Sequence, residues 1–242
     1  MQKVKWGILG TAGIAKSCTV PGMKQADNCD LYAIAGRSLE KAEVFKTEFG
    51  FRKAYGNYEE LINDEEVQAI YIPLPNHLHF PWVKAALEKK KHVLCEKPLG
   101  MNAGEVKEMF RLADENGVFL MEAAAYLHSP YMECLKADIR SGIIGDVDYV
   151  ESAFIGQELY DNFREHKEFG GGAVYDLGCY CTTMFLSLID AKPDDVKAFA
   201  EFTDLDVDSF TSGMIHFENG TRADFSVRNA EFMDMILQAT GW

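Results

Sequence analysis

The chain has 242 residues, 48% of them hydrophobic, with 24 basic against 38 acidic side chains and a formal net charge of -14. That apolar share is enough for a real core, in one large domain or two small ones, and no apolar run approaches the ~18 residues that a spanning helix needs. A surface this acidic repels nucleic acid and anionic membranes as a whole, so neither is an expected partner, while a local basic pocket for a phosphate stays open.

The first half alternates strand-like and helix-like segments. It opens on Met-Gln-Lys-Val-Lys-Trp, already strand-like and without the charged, apolar, small-residue layout of a signal peptide, so a cytoplasmic protein is expected. Short apolar runs at Val4–Leu9, 31–35, 67–72, His92–Cys95 and 118–121 predict five strands. Ser38 opens a helix whose Leu39, Ala42, Phe45 and Phe49 share one face, and Gly50 stops it. Asn57 with Glu60, and Asn102 with Glu105, have the spacing of capping boxes, and Gly117 ends the second of these helices. Strands alternating with helices imply right-handed crossovers and a parallel sheet, so residues 1–124 are read as a doubly wound α/β domain.

The second half changes character. Helices are expected at Pro130–Arg140 and 173–188, followed by strands at 196–203, 209–217, 221–227 and 232–240. Asn219-Gly220 predicts a hairpin, since both residue types favour positive φ. Residues 125–242 therefore read as an α+β domain with a mainly antiparallel, open sheet. The six cysteines form no Cys-x-x-Cys pair, and neither disulfides nor a metal site is expected. Cys179 and Cys181 read as small buried apolar residues.

Gly10, Thr11, Ala12, Gly13, Ile14 and Ala15 follow the first strand and open a helix, the context that a dinucleotide fingerprint demands. Glycine lets the backbone approach a pyrophosphate, and the helix N-terminus supplies free N–H groups and partial positive charge. Alanine stands at the second and third glycine positions, and Gly13 offsets the first of these departures. The second strand ends in Ala35-Gly36-Arg37-Ser38. No carboxylate stands there to repel a 2′-phosphate, and Arg37 can pair with one, lie on the adenine face, or be a solvated surface arginine. NADP is the expected cofactor, with NAD as the alternative.

Three further segments carry a resemblance. They are Ile70-Tyr71-Ile72-Pro73-Leu74-Pro75-Asn76-His77-Leu78-His79, then Lys91-His92-Val93-Leu94-Cys95-Glu96-Lys97-Pro98, then Gly170-Gly171-Gly172-Ala173-Val174-Tyr175-Asp176-Leu177-Gly178-Cys179-Tyr180. With the glycine turn, they make the sequence similar over its whole length to the glucose-fructose oxidoreductase/inositol dehydrogenase/rhizopine-catabolism family. The resemblance implies a Rossmann domain followed by an α+β domain that binds substrate and dimerises. It implies hydride transfer between NAD(P) and a sugar, polyol or vicinal diol. It assigns Lys97, Asp176 and Tyr180 to catalysis and substrate; Arg164, before the triple glycine on an expected pocket-edge loop, is a further substrate candidate by position. It implies that Glu96, beside Lys97, bonds the nicotinamide ribose; the loop after the fourth strand, with Pro73, Asn76 and His79, is read as lining the nicotinamide side of the cofactor site. Many members carry histidine where this chain has Tyr180, which resembles the branch containing glucose-fructose oxidoreductase and dimeric dihydrodiol dehydrogenase. Leu127 stands where arginine is common, implying a less basic pocket. Family members usually extend well past residue 242, so the sheet domain is expected to be incomplete.

The residue types suit that chemistry. Oxidising an alcohol needs a base for the hydroxyl proton, and a tyrosine serves if a nearby ammonium, here Lys97, favours its phenolate. Asp176 and Tyr180 are spaced i, i+4 and share a helix face. Two other readings remain at this point: a non-catalytic NADP sensor or scaffold, which has no need of an acid/base pair, and a biliverdin-reductase-like enzyme, which needs no such tyrosine.

Overall fold

The computed structural model describes residues 3–157 and 162–230, and the strand expected at 232–240 lies outside them. The chain divides into two compact units, Met1–Ala123 and Ala124–Trp242.

In the first unit the strands are β1 (Val4–Leu9), β2 (Cys29–Ala35), β3 (Lys53–Tyr55), β4 (Ala69–Ile72), β5 (His92–Cys95) and β6 (Leu120–Glu122). Between them lie α1 (Val20–Gln25), α2 (Leu39–Phe49), α3 (Tyr58–Asn63), α4 (His79–Glu88) and α5 (Ala103–Asn116). The six strands form one parallel sheet in the order β3-β2-β1-β4-β5-β6. The sequence does not announce β3, a three-residue edge strand without an apolar run.

Helices cover both faces of a parallel sheet, so its central strands are buried on both sides. All four residues of β4 are buried. Alternation along the strand sends Ile70 and Ile72 into one core with Leu9, Leu87 and Met109, and Tyr71 into the other with Ile8, Ala15, Val20 and Phe45. The caps follow the residues. Ser38, Asn57 and Asn102 accept the N–H groups of Lys41, Glu60 and Glu105 at 3.3, 2.9 and 3.0 Å. Glu105 reaches back to the Met101 N–H at 2.8 Å. Gly50 and Gly117 close α2 and α5 in the left-handed conformation.

The second unit contains α6 (Pro130–Arg140), β7 (Tyr149–Gln157), α7 (Cys179–Leu188), β8 (Pro193–Phe202), β9 (Asp208–Phe217) and β10 (Arg222–Ala230). The sheet order is β7-β10-β9-β8, antiparallel except that β7 runs parallel to β10. The helix expected at 173–188 begins as a wide π-type turn, Val174–Gly178, before continuing as α7. Leu177, Cys181, Phe185 and Ile189, spaced by four, bury one helix stripe on Ile215, Phe217, Ala223, Phe225 and Val227. Cys181 is buried as expected, whereas Cys179 is only half-buried.

The β9–β10 hairpin differs in detail from the expectation. The Phe217 N–H donates to Thr221 O at 3.0 Å and the Gly220 N–H to Phe217 O at 2.8 Å. Gly220 alone takes positive φ, so the connection is a three-residue loop with a left-handed glycine, not a two-residue turn that needs Asn219 there too. Among the described residues no helix is long and apolar enough to cross a membrane.

Candidate active site

The first cluster of site residues lies at the carboxyl ends of β1 and β2. The Gly10 N–H donates to Ala35 O at 2.7 Å, which sets the turn beside the end of β2. Gly10 has φ +96°, which favours glycine, and a Cβ there would press on Leu74 Cδ2 at 2.9 Å. Thr11, Gly13 and Ile14 are exposed and Ala12 is half-buried. Ala15 is fully buried against the sheet and packs rather than contacts a ligand. The helix that begins here leaves its first N–H groups without intrahelical acceptors, as a pyrophosphate requires. Arg37 is exposed at the end of β2. It lies near Tyr58, whose phenol burial pushes up against the opposing pull of the Arg37 charge. Ser38 spends its oxygen lone pair on the Lys41 N–H and keeps its own O–H to donate. These residues fit a dinucleotide carrying a 2′-phosphate.

A second cluster surrounds Lys97 at the end of β5. Its flanking backbone is pinned from two sides: His79 Nδ1 lies 2.8 Å from Pro98 O, and the Leu99 N–H donates to Glu122 Oε1 at 2.8 Å. His79 Nε2 lies 2.7 Å from Leu74 O. The ring is fully buried, and burial pushes it below the ordinary histidine range against the pull of the Pro98 and Leu74 carbonyls. This corrects the expectation of a cofactor contact at His79. Both nitrogens are spent inside the protein, and the residue braces the loops after β4 and β5. Pro73 and Asn76 are likewise buried at the end of β4. Glu96 is half-buried, and its Oε1 accepts the Tyr71 hydroxyl at 2.6 Å.

The third cluster belongs to the second unit. Burying Leu177, Cys181 and Phe185 leaves Asp176 and Tyr180 on the neighbouring edge of the helix, both half-buried. The Tyr180 ring is flanked by those of Tyr126 and Phe154, with centroids 5.6 and 5.2 Å away. The Tyr126 hydroxyl donates to Tyr180 O at 2.8 Å. Arg164 Nε lies 2.8 Å from Asp176 Oδ1. Arg164, expected as a pocket-edge cation for substrate, is thus paired with a neighbouring site residue.

The glycines before the helix are there for close approach. A Cβ on Gly171 would lie 2.2 Å from Arg164 O, and one on Gly172, at φ +108°, 2.1 Å from Asp208 Oδ1. Asp208 Oδ2 accepts the Val174 N–H at 2.9 Å and the Thr211 hydroxyl at 2.7 Å, so β9 anchors the start of this helix.

Within each unit the expected residues converge, in the first at the carboxyl ends of β1, β2, β4 and β5, in the second at the start of α7. Sequence reasoning passed over Thr19, Tyr58, Tyr71, Tyr126 and Asp208. Only their contacts mark them, and each has a partner remote in sequence.

A parallel sheet in this order, with a glycine turn after β1 and open backbone N–H groups above it, has the architecture of a dinucleotide-binding domain. Residues 4–124 match the oxidoreductase family described by its NAD-binding Rossmann fold, and residues 132–234 match the GFO/IDH/MocA C-terminal domain. The chain belongs to that oxidoreductase family. It is 39% identical over 221 residues to D-xylose 1-dehydrogenase (NADP(+)) 2 of Haloferax volcanii, covering 90% of this chain and 67% of that one. It is 37% identical over 228 residues to trans-1,2-dihydrobenzene-1,2-diol dehydrogenase of Mus musculus, covering 92% of this chain and 68% of that one. Among solved structures, KijD10, a 3-ketoreductase from Actinomadura kijaniata in complex with NADP and TDP-benzene, superposes with a TM-score of 0.87 at 28% identity, over 95% of this chain and 71% of that one.

Proposed function

We propose that this chain is an NADP-dependent dehydrogenase or reductase that moves a hydride between the cofactor and a CH–OH or carbonyl carbon of a sugar, polyol or vicinal diol. The observation that carries the reading is the edge of the α7 helix, where Asp176, paired with Arg164, stands one turn before Tyr180. Bound at Gly10 to Ile14, NADP supplies the hydride acceptor or donor. The chain's own groups do the rest. Thr11 to Ile14 hold the pyrophosphate, and Arg37 with Ser38 holds the 2′-phosphate. Tyr180 takes the hydroxyl proton in oxidation and returns it in reduction. Asp176 orients the substrate hydroxyl. The NADP named with the xylose dehydrogenase and with KijD10 supports the choice of cofactor.

We also propose a homodimer through the outer face of the second sheet, where Phe199 and Met214 are 63% and 40% exposed. Sedimentation at micromolar concentration tests this, and a clean monomer of the full-length protein contradicts it. The function itself is tested by screening NADP and NAD against aldoses, inositols and vicinal diols. Growth of reduced-nicotinamide absorbance with NADP and one of these classes is expected. No turnover with any of them, in either direction and with either cofactor, overturns the proposal.

A further inference from the structure

Tyr71 is the one aromatic residue of β4, and its ring is fully buried between strand and helix. Burying a hydroxyl costs free energy unless it is hydrogen-bonded, and a phenylalanine of the same shape would fill the same space without that cost. Here the hydroxyl has two partners. Thr19 Oγ1 donates to it at 3.0 Å, and it donates to Glu96 Oε1 at 2.6 Å. The polarity of this chain is fixed. An ionised carboxylate only accepts, so Tyr71 spends its proton on Glu96 and takes the threonine proton on its lone pair. Burial and the Glu96 charge both push the phenol far above its ordinary range, so it stays a donor at every working pH.

The three residues come from three elements. Thr19 sits in the wide turn that continues from the phosphate-binding glycines, Tyr71 in the central strand, and Glu96 at the end of β5 beside Lys97. The relay therefore ties the pyrophosphate end of the proposed cofactor site to its nicotinamide end.

We infer that Tyr71 is a positioning residue for the nicotinamide half of the cofactor: its bond to Glu96 Oε1 fixes that carboxylate so that Oε2 is presented to a ribose hydroxyl. The inference rests on the NADP-binding reading above. Tyr71 touches no reacting atom and acts only through Glu96.

The test uses the whole protein and two probes, NADPH and adenosine 2′,5′-bisphosphate, which carries the adenine-side phosphates but no nicotinamide ribose. Tyr71→Phe keeps the ring and its packing. It should weaken NADPH about tenfold, the low end of a charge-assisted hydrogen bond, and leave the bisphosphate unchanged. Tyr71→Phe/Glu96→Gln should bind NADPH within about twofold of Glu96→Gln alone, since groups acting as one unit are non-additive. Equal weakening of both probes, an unchanged NADPH affinity, or additive losses in the double variant overturns the inference. Should Tyr71→Phe not fold, Thr19→Val, which removes only the outer donor, should weaken NADPH about threefold and spare the bisphosphate. An equal effect on both probes, or none, again overturns it. Wild-type protein that binds neither probe refutes the cofactor reading itself, which separates the two failures.

Discussion

The guanidinium of Arg164 is held in front of Asp176, with Nε 2.8 Å from Oδ1. It is fixed from behind as well, stacked 4.5 Å from the Phe163 ring and donating to Asn162 Oδ1 at 3.2 Å. Asp176 is therefore a carboxylate with a set orientation. Arg164→Ala should lower kcat/KM about tenfold or more, the worth of one charge-assisted contact. Arg164→Lys should recover little, because an ammonium lacks the planar group that stacks on Phe163 while donating to Asn162 and pairing with Asp176. Steady-state kinetics of the two variants checks this; full activity in Arg164→Ala would leave the pair without a role in the reaction.

Arg37 sets the second prediction. It stands exposed at the end of β2, where no carboxylate opposes a 2′-phosphate. Arg37→Ala should weaken NADP by roughly 10- to 150-fold, corresponding to ~1.5–3 kcal/mol, and change NAD little. Titration of the variant with both cofactors reads the difference directly. Equal effects on the two would show that Arg37 does not read the phosphate.

The triple glycine predicts a stability effect. A methyl on Gly171 would press on the backbone carbonyl of Arg164, which cannot rotate away. Gly171→Ala should cost about 1–3 kcal/mol of stability and reduce turnover as well, because the same segment positions Arg164 and the start of the α7 helix. Thermal melts beside kinetics measure both. A variant with unchanged melting would mean that the loop has slack that the close approach denies it.

Asp64 carries a pH prediction. Its carboxylate accepts from the Tyr55 hydroxyl at 2.6 Å, from Lys53 at 2.9 Å and from the Glu66 N–H at 3.0 Å. Burial pushes the carboxyl up, but the bonds from Tyr55, Lys53 and Glu66 outweigh it and hold it below the ordinary range. A folded-state value below the unfolded one means that the stabilisation is complete above about pH 4 and is lost as pH falls through the depressed folded value. Asp64→Asn should lose about 1–2 kcal/mol at neutral pH and show a flatter acid limb in denaturant melts. An acid limb identical to wild type would contradict this assignment.

Much of the fold was legible because it is written locally. Val4–Leu9 and His92–Cys95 are strands at the expected residues, and Ser38, Asn57 and Asn102 cap the helices they precede. What was illegible depends on partners far along the chain. Strand β7 pairs with β10, and its exposed residues carry no clean alternation. Asn219-Gly220 gave the hairpin but not its loop length, which depends on whether one or both residues take positive φ. Motif context singled out Lys97 in the first unit and Asp176 and Tyr180 in the second as candidates, but not what holds each of them. His79 reads with its loop as lining the nicotinamide crevice, and its two carbonyl partners come from loops folded over it. Tyr71 looked like one more apolar strand residue, because nothing in its neighbourhood reveals a threonine 52 and a glutamate 25 positions away.

The central claim, that Tyr180 is the acid/base of an NADP-dependent hydride transfer, is tested most directly by turnover of Tyr180→Phe measured beside its NADPH affinity. The substitution keeps the ring between Tyr126 and Phe154 and removes only the hydroxyl. Turnover should fall by about 10²–10⁴-fold, the usual contribution of general acid–base catalysis, with NADPH affinity within about twofold of wild type. Near-normal turnover in a Tyr180→Phe protein that still binds NADPH would contradict the account and move the search for the proton donor to His77 or Asp176.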